Sequence, residues 1–232
     1  KSLAPFANRV AVTAPPAARH FRPGQAVVTG YPVRRGLFER GRAEARARLG
    51  LAADTPVLLV LGGSQGAQNI NRAVSEKLEA LLLVTQVIHV SGRLDAEWVR
   101  ARRAALPESW QARYHVYEYL HEEMVDALSA ADLAVSRAGA STLGEFPAAG
   151  LPAVLVPYPY AGAHQWANAR YLTEAGAAVA LADADLGTAL IPTVLDLLAD
   201  NDRRAAMSRA ARALARPDAA QRVAHELEGL AQ

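Results

Sequence analysis

Between Ser136 and Ala169 the chain gathers residue types that could handle a phosphate and a sugar. An apolar run, ADLAVS, stops at Ser136, and the small residues Gly139, Ala140, Ser141 and Thr142 then read as the start of a helix. A strand feeding such a turn leaves several backbone N–H groups unpaired at the positive end of the helix dipole, which suits an anion. Glu145 follows Ser141 and Thr142 by four and three residues, on the same face of the first turn. A carboxylate there can accept two hydrogen bonds from neighbouring hydroxyls, as a ribose offers them. The same residues also fit a plain capping box, with Ser141 or Thr142 as cap and Glu145 closing it. A second apolar run, PAVLVPYP, delivers His164, Gln165 and Asn168 to the start of another helix, where they share a face or merely cap it. Phosphate donors, a diol acceptor and amides at one sheet edge point to a nucleotide sugar.

An earlier strand, PVLLVLG, runs into Gly62-Gly63-Ser64-Gln65-Gly66-Ala67 and a helix from about 67 to 82. This is neither the dinucleotide fingerprint nor a Walker loop with its lysine. Its glycines let backbone approach a ligand while Ser64 offers a hydroxyl, or the segment is an ordinary tight turn. The histidines His20, His89, His115, His121 and His225 show no metal spacing, and no nucleophile elbow appears.

These turns need a scaffold, and the chain supplies one by alternation. The strands PVLLVLG, QVIHVSG (86–92), RYHVYEYL (113–120), ADLAVS, PAVLVPYP (152–159) and AAVAL (177–181) are each followed by a helical stretch. Uninterrupted apolar runs of this kind are strands covered on both faces, so the expected fold is α/β, a doubly wound six-stranded parallel sheet. Ligands in such sheets sit at the carboxyl ends of the strands, where the winding reverses, and the glycine-rich loops fall there. Pro147 is expected to distort its helix. Ahead of this unit, NRVAVT (8–13) and AVVTG (26–30) read as two strands too isolated to form a sheet alone. They either join the edge of the main sheet or belong with partners outside the chain.

Composition narrows the classes. The 232 residues suffice for a large core, half are apolar and about a fifth charged. The chain has 0 cysteines, hence no disulfide framework or thiolate metal site. No apolar run reaches membrane-spanning length and no secretory signal is evident, which makes the cytoplasm the default compartment. Net charge is +2, with arginines grouped at 34–48, 93–103 and 203–216 and few aromatics among them. Such groups usually cover solvated helix faces, so nucleic acid is a poor expectation, while a weak peripheral contact with anionic lipid stays open.

Taken together, GYPVR (30–34), GGSQGAQNIN (62–71), SRAGASTLGE (136–145) and HQWANA (164–169) resemble, in order and spacing, the C-terminal half of the MurG family. That family comprises UDP-N-acetylglucosamine transferases of peptidoglycan synthesis with a two-domain glycosyltransferase B fold. The resemblance implies UDP-GlcNAc or UDP as ligand, lipid I as acceptor, lipid II as product, inversion at the anomeric carbon, no metal or other cofactor, and the cytoplasmic face of the plasma membrane. It assigns diphosphate contacts to Arg34 and Ser64, with Gly62, Gly63 and Gly66 forming the phosphate loop. It gives the uracil edge to the backbone at Leu120, and phosphate at the helix N-terminus to Ala140, Ser141 and Thr142. Glu145 takes the ribose, and Gln165 with His164 and Asn168 takes the sugar. His164 departs from the glutamine found in some members. Residues 1–30 resemble the last strands of an N-terminal domain that is otherwise largely absent, 31–55 the interdomain linker and first helix, and 56–232 the donor-binding domain. The catalytic base is expected on that absent domain, and this chain alone is expected to be inactive. A non-catalytic UDP-sugar-binding subunit of a split enzyme, or a transferase acting on another glycolipid or natural product, stays open as an alternative.

Overall fold

The computed structural model describes residues 4–63, 66–160 and 164–230. Its elements in chain order are β1 (Val10–Val12), α1 (Pro15–Ala18), β2 (Ala26–Val28), α2 (Gly36–Glu39), α3 (Arg42–Arg48), β3 (Val57–Leu61), α4 (Gln68–Glu76) and α5 (Leu78–Leu82). There follow β4 (Gln86–Val90), α6 (Ala96–Ala104), α7 (Glu108–Gln111), β5 (Tyr114–Tyr117), α8 (Glu123–Ala130), β6 (Leu133–Ser136) and α9 (Thr142–Ala149). The chain closes with β7 (Ala153–Leu155), α10 (His164–Glu174), β8 (Ala178–Ala180), α11 (Leu186–Ala199), α12 (Asn201–Ala213) and α13 (Ala219–Glu228).

Six strands form one sheet in the order β5-β4-β3-β6-β7-β8, every pair parallel. The first three strands build outward to one side and the last three to the other, so the winding reverses between β3 and β6. Leu61 and Ser136 stand in register at that point, each the last residue of its strand. A crevice must open there, because the helices following the two strands pack on opposite faces of the sheet.

The strand sequences explain the layering. Along β3, Val57 and Leu59 enter the cluster covered by α3, α8, α9 and α10. Leu58 and Val60 enter the opposite cluster, with α4, α5, α6 and α11. Residues alternate faces along a strand, so a run without polar positions demands helices on both sides. The Leu186–Ala199 helix supplies Leu190, Ile191, Val194 and Leu197 to the second cluster at helical spacing.

Two segments differ from expectation. The helix expected from 67 to 82 breaks at Lys77, whose backbone leaves the helical region (φ −121°, ψ 24°). After Ile70, Ala73 and Val74, the next core-facing position of a continuous helix is Lys77. The break lets this side chain stay exposed and brings Leu78, Leu81 and Leu82 to full burial. The arginines of 40–48 are also not simply solvated. Arg40 and Arg48 converge on Asp126, and Arg46 is buried against Asp132 and the carbonyls of Ala130 and Ala53, clamping α3 to α8.

The strands β1 and β2 pair in parallel with each other as a separate two-stranded sheet and do not extend the main one. The linker Tyr31–Val33 crosses α9 at Gly144, where a Cβ would lie 2.8 Å from Tyr31 Cβ and 2.9 Å from the Tyr31 carbonyl. Only glycine admits so close a crossing.

Candidate functional site

The crevice between β3 and β6 opens into a cleft of about 890 Å³. Its walls are the glycine turn (Gly62, Gly63, Gly66), the start of α4, the end of β6, the turn into α9, and the loop after β7. Gly66 has φ +83°, and a Cβ on it would stand 2.3 Å from the Ser91 carbonyl, so this turn lies tight on the end of β4. The Gly66 amide donates to the Gly63 carbonyl at 2.9 Å. Ser64, expected to touch phosphate, lies outside the described residues.

At the other wall, the amides of Gly139, Ala140, Ser141 and Thr142 receive no acceptor among the described residues. The capping box does not form. No side chain caps α9; the Thr142 hydroxyl instead donates to the Gly139 carbonyl at 2.6 Å. The turn is held from behind by Asn168, whose amide donates to the Ala138 carbonyl at 2.9 Å. Of these four residues at the head of an eight-residue helix, Gly139, Ser141 and Thr142 line the cleft, where the dipole favours an anion, while Ala140 lines a neighbouring cavity. Pro147 does not shorten the helix. It continues to Ala149 and closes on Gly150 (φ +61°), with Leu151 N–H to Phe146 at 2.9 Å and Gly150 N–H to Pro147 at 3.0 Å.

Glu145 lines the same cleft, half-buried. Burial raises its pKa above the ordinary carboxylate value, opposed by a hydrogen bond from Ser141 and by the charge of Arg34. Arg34 is exposed and donates to the His121 carbonyl, next to Leu120, so it braces the turn after β5. The side chain of Leu120 is buried, and its backbone carries no hydrogen bond among the described residues. Arg34 and Leu120 do not line the cleft themselves; Arg34 lies near enough to Glu145 for its charge to act on that carboxyl.

The three residues at the head of α10 part company. Gln165 lines the main cleft and its Oε1 accepts from the Tyr158 amide at 2.8 Å. His164 and Asn168, one turn apart, line a second cavity of about 320 Å³ against β1 and α1.

Several lining residues carried no expectation from the sequence. Tyr158 and the exposed Tyr160 pack edge to face, 5.6 Å between ring centres, at the cleft mouth. Asp95 lines the floor and accepts from Asn71 Nδ2 at 2.7 Å and Trp98 Nε1 at 2.8 Å. Arg137, 9% exposed, pairs with Asp183, whose other oxygen accepts from Asn69 at the head of α4. The signal for Arg137 was a lone charge at the end of an apolar strand. Asp183, in a short Asp-Ala-Asp segment after β8, offered none.

Comparison with known proteins agrees with this architecture. Residues 57–223 match the model of the glycosyltransferase family 28 C-terminal domain. The UDP-N-acetylglucosamine–N-acetylmuramyl-(pentapeptide) pyrophosphoryl-undecaprenol N-acetylglucosamine transferase of Roseiflexus sp. is 50% identical over 224 residues, covering 88% of this chain and 51% of the relative. The Salinibacter ruber protein of the same name is 44% identical over 230 residues, covering 99% of this chain and 61% of the relative. The chain therefore spans between half and two thirds of these relatives. The crystal structure of Acinetobacter baumannii MurG superposes with a TM-score of 0.75 at 29% identity, covering 98% of this chain and 63% of that one. The cleft at the winding reversal occupies the matched segment, and the chain belongs to the glycosyltransferase family 28 C-terminal domain family.

Proposed function

We propose that the cleft binds the UDP part of UDP-N-acetylglucosamine, and that this chain is the donor-binding half of a transferase passing N-acetylglucosamine to lipid I to form lipid II. The observation that carries this reading is the juxtaposition of the unpaired amides 139–142 with Glu145 on one helix turn. The amides receive the diphosphate and Glu145 the ribose hydroxyls, with the Leu120 backbone at the base and Gln165 toward the sugar. Arg34 serves this end by holding the Leu120–His121 turn; a direct diphosphate contact would require it to leave the His121 carbonyl. The relatives named above carry the matching activity in their names.

In the proposed reaction an acceptor hydroxyl attacks C1 of the sugar, the C1–O bond to the diphosphate breaks, and UDP leaves with the bonding electrons. Amides fixed before the reaction stabilise the charge that develops on the leaving oxygen. The proton of the attacking hydroxyl goes to a base in the part of the enzyme beyond the length matched here. No helix among the described residues is long and apolar enough to cross a membrane, so access to a lipid-linked acceptor is proposed to be peripheral.

Calorimetric titration of the folded chain with UDP tests the reading. Binding in the micromolar to millimolar range is expected. Folded protein that gives no heat at millimolar UDP excludes it.

A further inference from the structure

Among the described residues, three charged side chains line the main cleft: Asp95, Glu145 and Arg137. Two are anionic, so a diphosphate entering this space meets a single cation. That cation is not a surface side chain swept in by chance. Arg137 follows the last residue of β6 at the winding reversal, immediately before the turn whose amides lie open. Its Nη1 donates to the Val156 carbonyl at 3.3 Å and to Asp183, and its guanidinium carbon lies 5.3 Å from the centre of the Tyr158 ring. The Nε–H and both Nη2–H groups engage no acceptor among the described residues. Asp183 in turn holds Asn69, three residues after the last glycine of the turn. The guanidinium thus lines the same cleft as the two turns, fixed from the rear and with three donors uncommitted.

Stability does not account for this arrangement. A pair in which both side chains are about nine-tenths buried contributes little net, because desolvation offsets the attraction, and apolar residues of equal volume would serve as well. A planar fork aimed by a carboxylate is, however, what bidentate recognition of phosphate oxygens requires.

We propose that Arg137 binds the diphosphate of the nucleotide at the cleft floor, with Asp183 and Asn69 as the residues that position it. The inference rests on the reading of the cleft as a nucleoside diphosphate site and names the group that meets the charge. Asp183 keeps Nη1 and leaves the Nε–H and Nη2–H groups to the phosphate, so removing the guanidinium and removing the carboxylate that aims it should both weaken phosphate binding, the first more than the second.

The test is an NMR titration of the chain with UDP and, separately, with uridine, using Arg137→Gln, Asp183→Asn and the double variant. The double variant leaves no unpaired buried charge, so it reports even if Arg137→Gln alone fails to fold. Loss of charge-assisted hydrogen bonds should weaken UDP about 10- to 100-fold in Arg137→Gln and in the double variant. Uridine affinity should stay within about twofold in every variant, since it has no phosphate, and Asp183→Asn should weaken UDP several-fold by releasing the fork. Unchanged UDP affinity in folded Arg137→Gln or in the double variant overturns the proposal. So does a parallel loss of UDP and uridine in any variant, since that makes the pair merely structural, and unchanged UDP affinity in folded Asp183→Asn overturns the positioning role of the carboxylate. Wild-type chain that binds no UDP removes the reading of the cleft itself, an outcome distinct from all of these.

Discussion

Glu145 illustrates how one side chain couples protonation to ligand. Its carboxyl is held above the ordinary value chiefly by burial, against the weaker pull of Ser141 and Arg34. Only the ionised form accepts from both hydroxyls of a ribose. Affinity for UDP should therefore be full at neutral pH and fall as pH drops through this raised pKa, earlier than an exposed carboxylate would allow. Glu145→Gln should cost about 1–3 kcal/mol of binding at pH 7 and flatten the fall of affinity on acidification. Calorimetry at three pH values checks both, and an unchanged dissociation constant at pH 7 would remove Glu145 from the site. The carboxylate and the small residues before it were legible because helix geometry fixes what lies three and four residues apart. The grouping of His164, Gln165 and Asn168 was legible only as a helix start. Which side of α10 faces which cavity depends on β1 and α1 packing against it, and no local pattern encodes that.

At the scale of elements, a buried polar chain joins α4 to β4 and β5. His89 is fully buried, with Nε2 3.0 Å from Asn71 Oδ1 and Nδ1 2.6 Å from the Tyr114 hydroxyl. Asn71 spends its amide on the Ser91 carbonyl and Asp95, so its oxygen must accept from His89 Nε2–H. Nδ1 is then the acceptor for Tyr114. A second ring proton would have to enter at Nδ1 and turn the Tyr114 hydroxyl round, and burial pushes His89 down to about 4, against the weaker pull of Asp95. The unfolded chain takes up that proton near pH 6.5 and the folded chain does not. Stability from this group is thus complete above pH 6.5 and declines as pH falls towards 4. Urea denaturation should show a loss of about 1.4 kcal/mol per pH unit over that window, about 3 kcal/mol in all. His89→Leu should remove this part of the slope, whatever it does to stability at pH 7. The Lys77 break belongs to the same scale. The apolar positions were readable, but the interruption arises only because the sheet demands three leucines where an unbroken helix would offer a lysine. Gly144 is the complementary case, a glycine whose reason lies in a distant segment. Gly144→Ala should destabilise by about 1–3 kcal/mol by forcing Tyr31 off α9, which thermal melting would detect.

For the molecule as a whole, the sheet was readable because a strand covered on both faces must be apolar throughout. That it is parallel and doubly wound was implied by the alternation of strands and helices, whereas the order β5-β4-β3-β6-β7-β8 is set by long-range pairing that no local pattern encodes. The long-range partners of the cleft were not readable: Asn69, Arg137 and Asp183 are brought together by the winding reversal alone. The two-stranded sheet of β1 and β2 stands apart from this economy. Among its six strand residues only Val12 is buried, at 8% exposure, whereas Val57, Leu58, Leu59 and Val60 of β3 are at 0%. A two-stranded sheet is marginal by itself, and here its ties to the rest run through Ala14, Gly30 against Arg216, and the long Arg9–Glu226 ion pair at 3.8 Å. Cooperativity should accordingly be uneven. Native-state hydrogen exchange should find the amides of 10–12 and 26–28 exchanging through local opening, with protection well below the global unfolding free energy. The amides of 58–60 and 87–90 should exchange only when the whole sheet unfolds. Equal protection across both sheets would show instead that β1 and β2 fold as one unit with the main domain.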